Sequence, residues 1–246
     1  MDSVSLSRVF SSRWVAPAFK GAFRYLRKHP LDETNSEVIW RTRHKTVYRC
    51  ALPRKFDGEE IVWKDYVNKR FWRFFFRYSF TAREFMGYRT AMKLGIPVPR
   101  VLAVGEKRSW TKLRSCFIVT EYVKNSQNGI DFCHDGPLSK DPAKKAYCKQ
   151  NIQYLAELHN AGYVHGAALP QNMLWTINKD SRLEVFWIDL AEVRARSGRR
   201  LVKGCRNDLN TFLGNLEFDR ETTEQMVNYY NRVRKSLSSD AKPIAL

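Results

Sequence analysis

Polar and apolar positions alternate through the first half of the chain. Ser36–Arg43, Lys45–Leu52 and Glu60–Tyr66 set Val, Ile, Trp and Tyr between polar neighbours, and turn-prone Pro53 and Asp57-Gly58 separate the last two, a pattern that predicts three short strands. The period then changes. Ser79–Leu94 carries Ala82, Phe85, Met86 and Ala91 as inward positions of a helix, Gly95-Ile-Pro-Val-Pro99 stops it, and Val101–Gly105 and Cys116–Val123 predict two further strands. The second half differs: Asp141–Ala161 reads as a long helix with Ala146, Ile152, Leu155 and Leu158 inward. Asn172–Ile177 and Leu183–Leu190 read as a hairpin around Asn178-Lys-Asp-Ser181, and residues from about Asp208 to Val233 read as helical. Five strands around one helix, followed by a helical half, predict an α+β protein of two lobes with their boundary at residues 123–126.

The first 35 residues stand apart. Arg8, Arg13, Lys20, Arg24, Arg27 and Lys28 interleave with Phe10, Trp14, Val15, Phe19, Phe23 and Leu26, and Asp2 is the only acid before Asp32. The pattern suits a transit peptide, an interfacial amphipathic helix or a basic arm, with any helix restarting at Pro17. No continuous apolar run is long enough for a secretory signal or for the ~20 residues of a membrane span.

The rest of the composition adds charge. Forty-three Lys and Arg against 25 Asp and Glu give a net charge of +18, a field that attracts nucleic acid, an anionic membrane face or a phosphorylated glycolipid. Nucleic acid is the least supported of these, because no helix-turn-helix, zinc or RNA-binding signature accompanies the charge. The five cysteines contain no C-x-x-C pair, which suggests reduced thiols in the cytosol rather than a disulfide framework or a zinc ribbon.

Candidate chemistry is concentrated in Leu158–Trp175, where a helix ends at Ala161-Gly162, His165-Gly166 follows an apolar residue, and Asn172 stands seven positions after His165. The apolar run Val185-Phe-Trp-Ile-Asp-Leu190 then delivers Asp189. The ordered string resembles the catalytic loop and metal-binding aspartate of kinase-fold phosphotransferases. Asn172 and Asp189 offer the hard oxygens that Mg²⁺ prefers. Lys64 on the third strand takes the place of the lysine that grips ATP phosphates, and Glu84 on the following helix that of its partner. Ile118-Val-Thr-Glu-Tyr-Val123 resembles a hinge, whose backbone at Glu121 and Val123 would hold adenine. Asp208, in Arg206-Asn-Asp208, resembles the residue that braces the loop, and His165 is read as structural.

Ala82-Arg-Glu-Phe, Gly95-Ile-Pro-Val-Pro, His165-Gly and Ile188-Asp-Leu, with the Arg- and aromatic-rich Arg70–Tyr78, resemble the lipopolysaccharide kinases that phosphorylate Kdo or heptose of the inner core. That resemblance implies a bilobal protein-kinase-like fold. After the basic arm (residues 1–35) come a five-stranded N-lobe with one helix (36–123) and a mainly helical C-lobe (124–246). It further implies ATP and Mg²⁺ as cofactors, lipopolysaccharide or another anionic glycolipid as partner, and a cytoplasmic location, peripheral on the inner membrane. Arg70–Tyr78 and Arg194–Arg200 would meet a lipid or an anionic acceptor.

Two features depart from the pattern. The turn between the first two strands, Arg41-Thr-Arg-His-Lys45, lacks glycines, and Ala167 occupies the position of the catalytic aspartate. A methyl group can neither orient an acceptor hydroxyl nor take its proton. Three explanations fit Ala167: a pseudokinase acting as a nucleotide- or glycolipid-binding scaffold, a variant engineered to trap substrate, or a divergent kinase taking a carboxylate from elsewhere or using the substrate's phosphate. Aminoglycoside- or choline-type kinases share the His-Gly loop and are the fallback among enzymes.

Overall fold

A computed structural model describes residues 12–32, 34–67, 78–109, 112–134, 141–216, 218–238 and 243–244. Residues 1–11 of the basic arm and residues 70–77 of the Arg- and aromatic-rich stretch therefore lie outside the described residues. The chain divides into two compact units, Met1–Met86 with Pro99–Val123 and Gly87–Val98 with Lys124–Leu246.

The first unit is an antiparallel sheet. Its elements are β1 (Ser12–Val15), α1 (Lys20–Lys28), β2 (Glu37–Arg41), β3 (Lys45–Ala51), β4 (Glu60–Val67), the first half of α2 (Phe80–Lys93, which from Gly87 on belongs to the second unit), β5 (Val101–Ser109) and β6 (Lys112–Glu121). Among the described residues the sheet has six strands rather than five, in the order β1-β5-β6-β4-β3-β2. The extra edge strand comes from the presumed arm: Arg13 pairs with Gly105 and Trp14 with Val104. The helix after Pro17 is amphipathic as its pattern indicates. Its apolar face is spent on protein, however: Phe19, Ala22, Phe23 and Leu26 are buried with Cys50, Leu52, Ile61 and Val119. Phe23 stacks on Trp63 and Phe117. Residues 12–28 thus belong to the sheet unit.

The two-residue period of β4 sends alternate side chains to opposite faces. Ile61 and Trp63 pack on the α1 side, while Lys64 and Tyr66 reach Glu84 of α2. The buried stripe of α2 runs Thr81, Glu84 and Phe85, Tyr88, Ala91, at the three-to-four spacing of a helix face. Met86 falls outside that stripe and is 52% exposed, against the inward position its hydrophobicity suggests.

The second unit contains β7 (Gln127–Asn128), α3 (Gly129–His134), α4 (Pro142–Asn160), β8 (Tyr163–Val164), β9 (Met173–Ile177), β10 (Leu183–Trp187), β11 (Arg194–Ala195), α5 (Gly198–Gly214) and α6 (Arg220–Leu237). Asp141 caps α4 by accepting hydrogen bonds from the Ala143 and Lys144 amides, and Pro142 follows at the first helical turn, where its missing N–H costs nothing. Ile152, Leu155 and Leu158 are fully buried. Ala146 is exposed, because the stripe passes through Tyr147 and Cys148 instead. The predicted hairpin forms with Met173 opposite Trp187 and Ile177 opposite Leu183. Two-residue β8 and β11 pair Val164 with Arg194, pinning both ends of the segment that carries the candidate loop and Asp189. No helix among the described residues is long and apolar enough to cross a membrane.

Candidate functional site

In the sheet unit, Lys64 Nζ donates to Glu84 Oε1 at 2.6 Å. The Tyr66 hydroxyl donates to the other carboxylate oxygen at 3.3 Å. Both charged side chains are buried, Glu84 completely. An ion pair so far from water gives little net stability, since desolvation offsets its Coulomb gain. What it does provide is a fixed ammonium position. At the predicted hinge, the Glu121 amide is already donated to the Arg100 carbonyl (3.0 Å). Its carboxylate takes the Arg100 amide at 2.9 Å. Any adenine contact at Glu121 therefore runs through its carbonyl. The glycine-free turn is organised by Thr42, whose Oγ1 accepts from the His44 and Lys45 amides.

In the helical unit, Asp208 of α5 is the centre of the candidate loop. Its Oδ2 accepts from the His165 amide (2.6 Å) and its Oδ1 from the Gly166 amide (2.8 Å). His159 Nε2, at the end of α4, lies 3.1 Å from Oδ2, and His159 Nδ1 lies 2.6 Å from the Tyr230 hydroxyl of α6. This His159–Tyr230 support escaped the sequence reading; its trace in the sequence is a histidine following the apolar positions Ile152, Leu155 and Leu158 at the end of the helix. Burial pushes the Asp208 carboxyl up, but the hydrogen bonds from His159 and the Gly166 amide more than offset it, so its pKa lies below the ordinary range. Burial holds His159 below its usual value despite the facing Asp208. The arrangement is a neutral imidazole that donates to Asp208 and accepts from Tyr230.

His165 is fully buried, its ring edge-on to Trp187 at 5.0 Å. Its Nδ1 accepts from the Ala167 amide at 3.4 Å, and Nε2 has no hydrogen-bond partner among the described residues. Burial lowers its pKa from 6.5 to about 4, so the ring is neutral at physiological pH. With a folded value below the unfolded one, its stabilisation is complete above pH 6.5 and is lost as pH falls from 6.5 towards 4. We expect this group to remove about 3 kcal/mol across that window. Urea unfolding at pH 7 and pH 4.5 should show a shallower pH slope for His165→Gln than for wild type; equal slopes would assign the acid sensitivity elsewhere.

Asn172 and Asp189 occupy opposite ends of one small hydrogen-bonded unit. Asn172 Nδ2 donates to the Ala167 carbonyl (3.2 Å), and the Asn172 carbonyl accepts from the Ile188 amide (2.8 Å). With its nitrogen so used, Asn172 keeps Oδ1 as an acceptor. Asp189 has left-handed backbone (φ 57°, ψ 50°), a conformation that costs a non-glycine residue about 1 kcal/mol or more and that concentrates at functional positions. Immediately beyond it, the Leu190 carbonyl packs so closely on Gly87, within the same unit, that a Cβ there would lie 2.1 Å from it. Among the described residues no three His, Cys, Asp or Glu side chains cluster as a metal centre. An amide oxygen and one carboxylate nonetheless fit Mg²⁺, which usually takes one or two protein ligands and completes its shell with phosphates and water. Ala167 presents a half-buried methyl group, and its carbonyl is taken by the Leu169 amide (2.8 Å) and by Asn172.

An antiparallel sheet carrying a buried Lys–Glu pair, and a helical unit whose loop hangs from a buried aspartate, define a two-lobed protein-kinase-like fold. The model of the lipopolysaccharide kinase (Kdo/WaaP) family matches residues 22–230, and the chain belongs to that family. A solved structure of WaaP in complex with acyl carrier protein superposes with a TM-score of 0.66, covering 92% of this chain and 91% of that one at 17% identity, a likeness of fold. No curated protein matches the chain.

Proposed function

We propose that this lipopolysaccharide-kinase-type protein binds Mg-ATP, with Lys64 gripping the nucleotide phosphates, the backbone at Glu121 and Val123 holding adenine, and Asn172 and Asp189 holding the metal. When bound, the metal would supply charge to bridge the phosphates. The observation that carries this reading is the buried 2.6 Å Lys64–Glu84 pair. A lysine held on a strand by a helix carboxylate is poorly justified by stability and well suited to meeting phosphate. The acceptor is the sugar of an inner-core lipopolysaccharide or a related anionic glycolipid, met at the cytoplasmic face of the inner membrane; family membership and the +18 charge support this. The acyl carrier protein of the WaaP complex is a candidate partner here too, to be sought by co-purification.

Lys64→Met, paired with Glu84→Gln so that no buried carboxylate loses its counter-ion, should weaken binding of a fluorescent ATP analogue at least tenfold while leaving the fold intact by circular dichroism. Unchanged affinity would remove Lys64 from the site. Ala167 favours a second reading, in which the protein binds nucleotide or glycolipid as a scaffold and does not turn over. The two separate on a single-turnover assay with radiolabelled ATP and lipopolysaccharide: slow transfer supports the kinase, and binding without transfer supports the scaffold.

A further inference from the structure

The face of α5 that carries Asp208 also borders a cavity of about 580 Å³, lined by Arg194, Arg196, Arg200 and Lys203 with Asn207 and Thr211. Its charge is only partly compensated. Asp208 is the acid at its edge and offsets one of the four cations, with its oxygens engaged by the His165 and Gly166 amides and by His159. Arg194 makes a loose 3.7 Å pair with Glu192. Arg196, Arg200 and Lys203 form no ion pair among the described residues. Like charges gathered around one hollow repel each other, and here they also oppose a helix dipole. Arg199 and Arg200 lie in the first turn of α5, which holds no acidic residue, and Ser197 at its start makes no side-chain cap. Cations there face the positive end of the helix. A bound dianion relieves both conflicts at once, and guanidinium forks match phosphate oxygens in pairs.

The neutral side of the cavity refines the ligand. Lys203, Asn207 and Thr211 recur every four residues along α5 and so form one stripe, with cationic side chains at one end and amide and hydroxyl groups at the other. Gly204 beside it is fixed by packing: a Cβ there would lie 2.4 Å from Val164 Cγ1, so the helix is held close under the candidate loop. We infer that this cavity is a second anion site, distinct from the nucleotide site, that binds a phosphomonoester carried on a sugar, with Arg196, Arg200 and Lys203 on the phosphate and Asn207 and Thr211 on sugar hydroxyls. In naming a sugar as the carrier the inference rests on the proposed acceptor class; the preference for phosphate rests on the cavity alone.

Calorimetric titration of the full chain at constant ionic strength tests this, with inorganic phosphate, glucosamine 1-phosphate and unphosphorylated glucosamine as probes. Both phosphates should bind, the sugar phosphate more tightly, and glucosamine should not. Arg200→Gln/Lys203→Gln, at two exposed positions, should weaken phosphate binding at least tenfold. Lys145→Gln/Lys235→Gln, in the separate basic groove lined by α4 and α6 residues, should leave it unchanged. Asp189→Asn should also leave phosphate binding intact even where it abolishes Mg-ATP binding, which separates failure of this site from failure of the nucleotide reading. Wild-type affinity in the Arg200/Lys203 variant, or loss of phosphate binding in Asp189→Asn, would overturn the site. Equal affinity for free and sugar-borne phosphate would overturn the sugar assignment.

Discussion

Ala167→Asp is expected to raise phosphotransfer from ATP to a lipopolysaccharide acceptor by about 10²–10⁴-fold, the usual worth of a positioned general base. The loop is already arranged to receive it. The Ala167 carbonyl is held by Leu169 and Asn172, and the Gly166 amide is anchored to Asp208. A new carboxylate at this position would thus extend from backbone fixed on both sides rather than from a floppy turn. Its role is to accept the proton of the acceptor hydroxyl as that oxygen attacks the γ-phosphorus. No acidic residue occurs between His159 and Asp180, so the loop sequence supplies no replacement for it. Initial rates at saturating ATP and acceptor are the measurement. A variant that binds nucleotide like the wild type but gains no rate would show that more than the base is missing, and would favour the scaffold reading.

Asp208→Ala is expected to cost about 4 kcal/mol of stability, in the range for removing one partner from a buried charged network. The buried His165 amide and the part-buried Gly166 amide would lose their acceptor, and His159 would lose the partner of its Nε2. Each orphaned donor costs about 1–3 kcal/mol. At roughly 2–4 °C per kcal/mol for a chain of this length, the melting temperature should fall by about 12 °C. Asp208→Asn retains one oxygen acceptor and should lose about half as much. A loss below about 1 kcal/mol in Asp208→Ala would mean that the loop is held by other contacts and that the Asp208 hydrogen bonds are incidental.

The parts of the site that were legible in the sequence are those written in local pattern. Lys64 and Glu84 could be placed because strand alternation and a helical stripe each announce their element, and His165, Asn172 and Asp189 because their spacing is carried by one loop and one strand. The tertiary choices were not legible. Phe19, Phe23 and Leu26 make the same amphipathic stripe whether it meets a bilayer or a sheet, and only the stack on Trp63 and Phe117 decides for the sheet. β1 has four residues, too few for alternation to register, and it exists because the β5 edge accepts it. His159, Asp208 and Tyr230 meet from three helices, at separations of 49 and 71 residues from His159, which no local pattern encodes. Met86 and Ala146 were misplaced for the converse reason: hydrophobicity suggested burial, while the phase of each helix was set by Tyr88 and by Tyr147.

The most direct test of the account is the melting temperature of the purified protein with millimolar ATP, with and without Mg²⁺, beside Asp189→Asn, a substitution that tolerates the left-handed backbone at this position. A ligand at a hundred times its dissociation constant stabilises by about 2.7 kcal/mol, a shift readily resolved. A rise that requires Mg²⁺ and disappears in the variant is expected. No rise at millimolar nucleotide, or an equal rise in Asp189→Asn, would contradict it.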